Sequence, residues 1–183
     1  MGSFAVIDTE TNWADQVMSI GTVIADGDTF ETLEACYHVL PEECAIGGMY
    51  EHALFLDSAP APILCARGEA LADLRTRFLR HGVTAVFAYN ACFDRNHLPE
   101  LRDLRWHDIM RFAAYRQYND KIPPCAECFS TGRLKRGYGV EPMLRLLSGN
   151  HRYRESHNAF RDAFDELEIM RLLGYRPDEY PAL

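Results

Sequence analysis

Asp8-Thr9-Glu10 places two carboxylates two residues apart at the end of an apolar run, Phe4 to Ile7. If that run is a strand, side-chain alternation sends Asp8 and Glu10 to the same side with their charges close together. Adjacent anions invite a cation. Magnesium or manganese takes oxygen ligands, and two such ions about 4 Å apart can activate a water and stabilise the leaving oxygen of a phosphodiester. Solvated acids at strand ends are common, so the motif does not decide the matter alone.

Two further stretches carry the same kind of chemistry. Asn90-Ala91-Cys92-Phe93-Asp94 follows a second apolar run, Val83 to Tyr89, so that Asp94 can approach the same cations and Asn90 can hydrogen-bond a substrate. Its plainer reading is a helix start, where an acid complements the helix dipole. The third stretch is His157-Asn158-Ala159-Phe160-Arg161-Asp162. On one continuous helix, residues five apart point about 140° from each other, so His157 and Asp162 share a site only if His157 precedes the helix. With Asn158 as N-cap, Asp162 falls in the second turn and both reach one place. Histidine titrates near neutrality, which suits it to take a proton from an attacking water. Taken singly, a surface histidine and a solvated acid explain this stretch as well.

In order and context the three stretches resemble the DEDDh family of 3′-to-5′ exonucleases, a ribonuclease H-like group. The resemblance runs from about Phe4 to Leu173 and is carried by Val6-Ile7-Asp8-Thr9-Glu10-Thr11, Tyr89 to Asp94 and His157 to Asp162, with the regions between too diverged to add to it. It implies that Asp8 bridges two metal ions, that Glu10 and Asp162 complete the ligands on the nucleophile side, and that Asp94 supports the second ion. It also implies His157 as general base, which puts the chain in the histidine subclass, and a substrate contact at Thr11. Two departures stand out: Tyr89 occupies a position often held by histidine, and Arg161 is a large basic residue inside the third motif, within reach of a phosphate or solvated on the helix surface.

The elements that must position these residues read as an α/β domain. Phe4 to Ile7 suits a strand buried on both faces. Val17 to Ala25, the turn Asp26-Gly27 and Thr29 to Val39 suit an antiparallel pair completing a meander. Val83 to Tyr89 and Trp106 to Met110 add two strands, for a mixed five-stranded sheet. Glu69 to His81, stopped by Gly82, and a helix from Asn158 to Leu173, stopped by Gly174, are the long helices, with shorter ones toward Leu101, over Arg111 to Tyr118 and over Met143 to Leu147. Helices on both faces give a layered domain, ribonuclease H-like by the resemblance. Residues 1–183 are expected to form one domain, interrupted by a loop-rich insertion around 40–66 and a basic, turn-rich segment around 122–139.

Composition narrows the setting. Hydrophobic residues make up 48% and charged residues 25%, which excludes a disordered or fibrous chain. No apolar run is long enough to span a membrane and no secretory signal opens the chain, so the cytoplasm is expected. Six irregularly spaced cysteines then read as reduced thiols. A net charge of −8 disfavours long-range capture of nucleic acid, so a polyanionic substrate must be held locally by metal ions and a few basic residues.

Gly132-Arg133-Leu134-Lys135-Arg136-Gly137-Tyr138-Gly139 suits a loop touching backbone phosphates, with Arg133 and Lys135 as the contacts, or a solvated turn. Phe112, Tyr115 and Tyr118 offer stacking surfaces or, more ordinarily, a buried helix face. Cys125 and Cys128 have zinc-knuckle spacing but lack two ligands, for which Cys36, Cys44 and His52 are distant candidates. The reading that results is a magnesium- or manganese-dependent exonuclease acting on 3′ ends of single-stranded DNA, RNA or short oligonucleotides. Its alternative is a catalytically silent nucleic-acid- or partner-binding domain on the same fold.

Overall fold

Phe4, Ala5, Val6 and Ile7 are all buried because their strand lies at the centre of a sheet covered on both faces. The computed structural model describes residues 2–56 and 60–183. Its strands are β1 (Phe4–Thr11), β2 (Val17–Ala25), β3 (Thr32–Val39), β4 (Ile63–Leu64), β5 (Ala85–Ala88) and β6 (Arg105–Asp108), in the spatial order β4-β3-β2-β1-β5-β6. β1, β2 and β3 form the expected antiparallel meander, with Asp26 accepting the amides of Asp28 and Thr29 in the turn between β2 and β3. β5 runs parallel to β1, and β6 parallel to β5.

The sheet has six strands where the sequence predicts five. β4 is only two residues long and pairs with His38 and Val39 at the edge of the sheet. Both its residues are exposed and follow Pro60 and Pro62, so neither a buried run nor a period marks it. It falls within the irregular 40–66 stretch, of which residues 57–59 lie outside the described ones.

The helices are α1 (Pro41–Cys44), α2 (Arg67–His81), α3 (Cys92–His97), α4 (Met110–Ala113), α5 (Val140–Ser148) and α6 (Ala159–Leu173). α2 opens with the Glu69 carboxylate accepting the Ala66 amide and closes at Gly82, whose φ of 66° suits a residue without a Cβ. α4 is shorter than the predicted Arg111 to Tyr118 helix. The Asn119 side-chain amide donates to the Ala113 carbonyl at 2.6 Å, and the chain turns so that Tyr118 stacks on Phe112. Phe112 is therefore core and not a platform for bases.

Alternation along β1 divides the core in two. Phe4 and Val6 join Val23, Phe87, Met143, Leu144, Ala163 and Leu167 under α5 and α6. Ala5 and Ile7 join Ile20, Val86, Leu71, Leu74 and Phe78 under α2. Each large apolar side chain buried this way contributes about 1.5–3 kcal/mol. The same parity sends Asp8 and Glu10 toward α6, so the packing that builds the three layers also aims the two carboxylates. Among the described residues no helix is long and apolar enough to cross a membrane.

Candidate active site

The carboxyl ends of the parallel pair β1 and β5 meet the N-terminus of α6, the place where open α/β sheets leave a crevice. A cavity of about 380 Å³ opens there, lined by Asp8, Thr9, Glu10, Thr11, Tyr89, Asn90, Asp94, Glu155, His157 and Asp162 among others. All four acids and the histidine singled out from the sequence line it, with Thr11 and Asn90. Arg133 lies instead in an adjoining cavity, and Lys135 is exposed and lines neither.

Each side chain is delivered by a recognisable local device. Thr9 points away from Asp8 and donates to Asp94 Oδ1 at 2.7 Å, tying the strand end to the first turn of α3. Asn158 is the N-cap of α6: its side chain accepts the Arg161 amide and donates to the Tyr37 hydroxyl and the Ala53 carbonyl. That pinning leaves His157 outside the helix with φ 52°, and Asp162 inside it, accepting from Ser156 at 3.3 Å. A ring nitrogen of His157 and one oxygen each of Glu10 and Asp162 lie within 4.8 Å of one another. Tyr50 stacks on the imidazole at 4.0 Å.

Gly21 permits the close approach of α6. It faces Asp8 across the β1–β2 ladder, and a Cβ there would lie 2.0 Å from the Ala159 carbonyl oxygen. Only glycine lets the start of α6 rest directly on β2.

Three acids at the site are not anticipated by the sequence reading. Glu166, one turn after Asp162, is buried and accepts the Tyr89 amide at 3.0 Å. Asp108, at the end of β6, accepts the Asn90 amide at 3.0 Å and the Met110 amide. Together they hold two consecutive amides of the turn that carries Asn90, whose φ is 63°. Spacing from Asp162 could have flagged Glu166, and the strand end could have flagged Asp108. Glu155 lines the cavity from an irregular stretch and has no such signal.

Burial shifts every one of these carboxylates upward, and crowding by neighbouring acids adds to it at Asp8, Glu10, Asp162, Glu155 and Glu166. Burial, then the charges of Glu166, Asp94, Asp162 and Glu10, push Asp8 well above the ordinary carboxylate range. Burial with Asp162, Glu155 and Asp94 pushes Glu10 up to about 9, and burial with Glu155 and Asp165 pushes Asp162 up to about 8. Asp94 rises to about 7 through burial, against the opposing hydrogen bond from Thr9. Burial lowers His157, which favours its neutral form.

Such a cluster suits a divalent cation. Asp8 Oδ2 is cut off from solvent and has no hydrogen-bond donor, a state that costs free energy unless a cation meets it. The carboxylate oxygens of Asp8, Glu10, Asp94 and Asp162 are the hard donors that magnesium and manganese take. A second group, Cys36, His38 and Asp73, also converges, but Arg77 already donates to Asp73 at 2.7 Å and supplies the positive charge there. Among the described residues no third ligand joins Cys125 and Cys128, and all six cysteines are free thiols.

The fold is similar to that of solved 3′-exonuclease and exonuclease structures. The nuclease domain of 3′hExo, a DEDDh family member bound to rAMP, matches with a TM-score of 0.65 at 13% identity, over 100% of this chain and 96% of that one. A 3′-exonuclease in 3′-end-specific recognition of the histone mRNA stem-loop matches at 0.63 and 13%, over 100% and 70%. E. coli exonuclease I in complex with a dA16 oligonucleotide matches at 0.58 and 15%, this chain being covered over 98% and spanning 42% of the exonuclease. No protein-family model matches the chain, and no curated protein matches it in sequence. The likeness is thus one of fold.

Proposed function

We propose that this chain is a divalent-metal-dependent 3′-to-5′ exonuclease. It hydrolyses the 3′-terminal phosphodiester of single-stranded DNA, RNA or short oligonucleotides and releases nucleoside 5′-monophosphates. One observation carries the reading: Asp8, Glu10, Asp94, His157 and Asp162, from three separate parts of the chain, line one cavity in which Asp8 Oδ2 is shielded from solvent and meets no hydrogen-bond donor among the described residues. The shared architecture with exonucleases solved with rAMP and dA16 supports it.

Asp8, Glu10, Asp94 and Asp162 would hold two magnesium or manganese ions, which supply Lewis-acid activation and offset the charge of the pentavalent transition state. His157, kept neutral by burial, accepts the proton of the attacking water, and its stacking on Tyr50 holds the ring in place. Glu166 and Asp108 keep the Tyr89–Asn90 turn fixed, so that Asn90 meets the substrate in one orientation. Trp13 and Met49 line the cavity with large exposed apolar surface, which suits an unpaired terminal base. The acidic chain, with net charge −8, leaves binding to these local contacts.

The test is degradation of 5′-labelled single-stranded DNA and RNA with magnesium, manganese or chelator, comparing wild type with Asp8→Asn and His157→Ala. A metal-dependent ladder shortening from the 3′ end and lost in both variants is expected. Intact substrates under every condition, di- and trinucleotides included, would leave a silent binding domain.

A further inference from the structure

Arg133 is one of several arginines of this acidic molecule that no carboxylate meets, and among the described residues it is the one whose guanidinium lies over aromatic rings. Arg67, Arg75, Arg77, Arg145, Arg154 and Arg171 each meet a carboxylate. The Arg133 guanidinium instead lies over two aromatic rings, 4.9 Å from the centre of Phe129 and 5.2 Å from that of Tyr138. Among the described residues no acid pairs with it. Rings engage the faces of a guanidinium and leave its N–H edge available, the edge that meets phosphate oxygens in a planar fork. The two rings also hold the side chain in place beforehand, which reduces the ordering cost of binding.

Its surroundings point the same way. Arg133, Tyr138, Gly139 and Met110 line a cavity of about 320 Å³ whose remaining walls are Tyr89 and Asn90. Tyr89 and Asn90 also wall the carboxylate cavity, so the two spaces share a partition. The Tyr89 hydroxyl donates to the Tyr138 carbonyl, which fixes the arginine-bearing loop to that partition. The loop is closed by paired backbone, with the Leu134 amide on the Ala114 carbonyl and the Phe129 amide on the Arg133 carbonyl. Lys135, two residues on, is exposed and outside both cavities.

We infer that the Arg133 cavity is a second nucleotide subsite, in which the guanidinium holds a phosphate of the bound strand other than the one being cleaved. The inference rests on the exonuclease reading for the occupant of the first cavity. It makes the preferred substrate an oligonucleotide long enough to fill both spaces, and it makes Arg133, and not Lys135, the basic residue that selects it.

The experiment compares a ten-nucleotide oligothymidylate with the p-nitrophenyl ester of thymidine 5′-monophosphate, which carries no second phosphate. For Arg133→Ala the ratio of kcat/KM on the strand to kcat/KM on the ester is expected to fall about tenfold, through KM, the size expected for one charge-assisted contact. Lys135→Ala leaves that ratio near wild type. An unchanged ratio in Arg133→Ala, or an equal fall in Lys135→Ala, overturns the subsite while leaving hydrolysis intact. If wild type cleaves neither compound, the exonuclease reading fails and the subsite is judged by binding of the labelled strand. There the log–log salt dependence of Arg133→Ala should be shallower by about 0.7, the value for one phosphate of a single strand. Equal slopes, or no binding, overturn it.

Discussion

Gly21 and Ala159 meet backbone to backbone: a Cβ on Gly21 would stand 2.0 Å from the Ala159 carbonyl oxygen and 2.1 Å from its carbon. Neither atom is the end of a flexible side chain, so nothing can swing aside. Gly21→Ala must lift the start of α6 off β2, carrying His157 and Asp162 away from Asp8. A loss of about 3 kcal/mol is expected in urea denaturation, at the upper end of overpacking costs, with loss of nuclease activity. Gly68→Ala, in the first turn of α2 with nothing within 4 Å of its Cβ position, is the matched control and should gain about 0.5–1 kcal/mol. Equal stability of the two variants would refute the close approach.

Asp8→Asn separates function from stability. The carboxylate repels four neighbouring acids, so its neutral isostere should melt at the same temperature as wild type or higher in chelator. Cleavage should fall by at least about 100-fold, as when a preorganised charge contact is removed from a transition state. Marked destabilisation of the chelated variant would assign Asp8 a structural part.

Stability of the metal-free protein should depend on pH in an unusual direction. Glu10, Asp162 and Asp94 titrate at about 9, 8 and 7 in the folded chain, above the ordinary carboxylate value near 4. The folded state therefore binds protons more tightly than the unfolded one. The stability this confers is complete below about pH 4 for these groups and is lost as pH rises through 7 to 9. Melting in chelator should drop from pH 6 to pH 9, and magnesium or manganese at about 100 times its Kd should restore about 2.7 kcal/mol at the alkaline end. A melting temperature in chelator that is flat or climbs over that interval would contradict the crowding.

Asn158→Ala removes the N-cap of α6 and, with it, the buried donor to Tyr37 and Ala53. Caps alone are worth about 1 kcal/mol, and the unpaired carbonyl left behind adds about 1–3 kcal/mol. The variant should lose about 2–4 kcal/mol in denaturant and release His157 from its left-handed backbone. Wild-type stability together with wild-type turnover would mean that the cap does not position the histidine.

The three motifs were legible because their chemistry is local. Asp8 and Glu10 share a face by the parity of any strand, and Asn158 announces a helix start that leaves His157 outside and Asp162 inside. The meander, the helix over Arg67–His81 and the helix over Ala159–Leu173 were legible for the same reason, through runs, periods and glycine stops. β4 was not, since two exposed residues carry no period, and α4 stopped early because Asn119 captures the Ala113 carbonyl from six residues away.

By itself the sequence determined which side chains could do chemistry and the local geometry that presents each one. The tertiary structure decided what surrounds them. Glu166 and Asp108 become anchors of the Tyr89–Asn90 turn only through contacts 77 and 18 residues apart in the chain. Gly21 matters only because α6 crosses β2 there, and Arg133 acquires its rings and its shared wall only when the 129–138 loop folds back on Tyr89. Burial and crowding, which set the charge state of every acid in the cavity, are sums over neighbours distant in sequence, and no local pattern contains them.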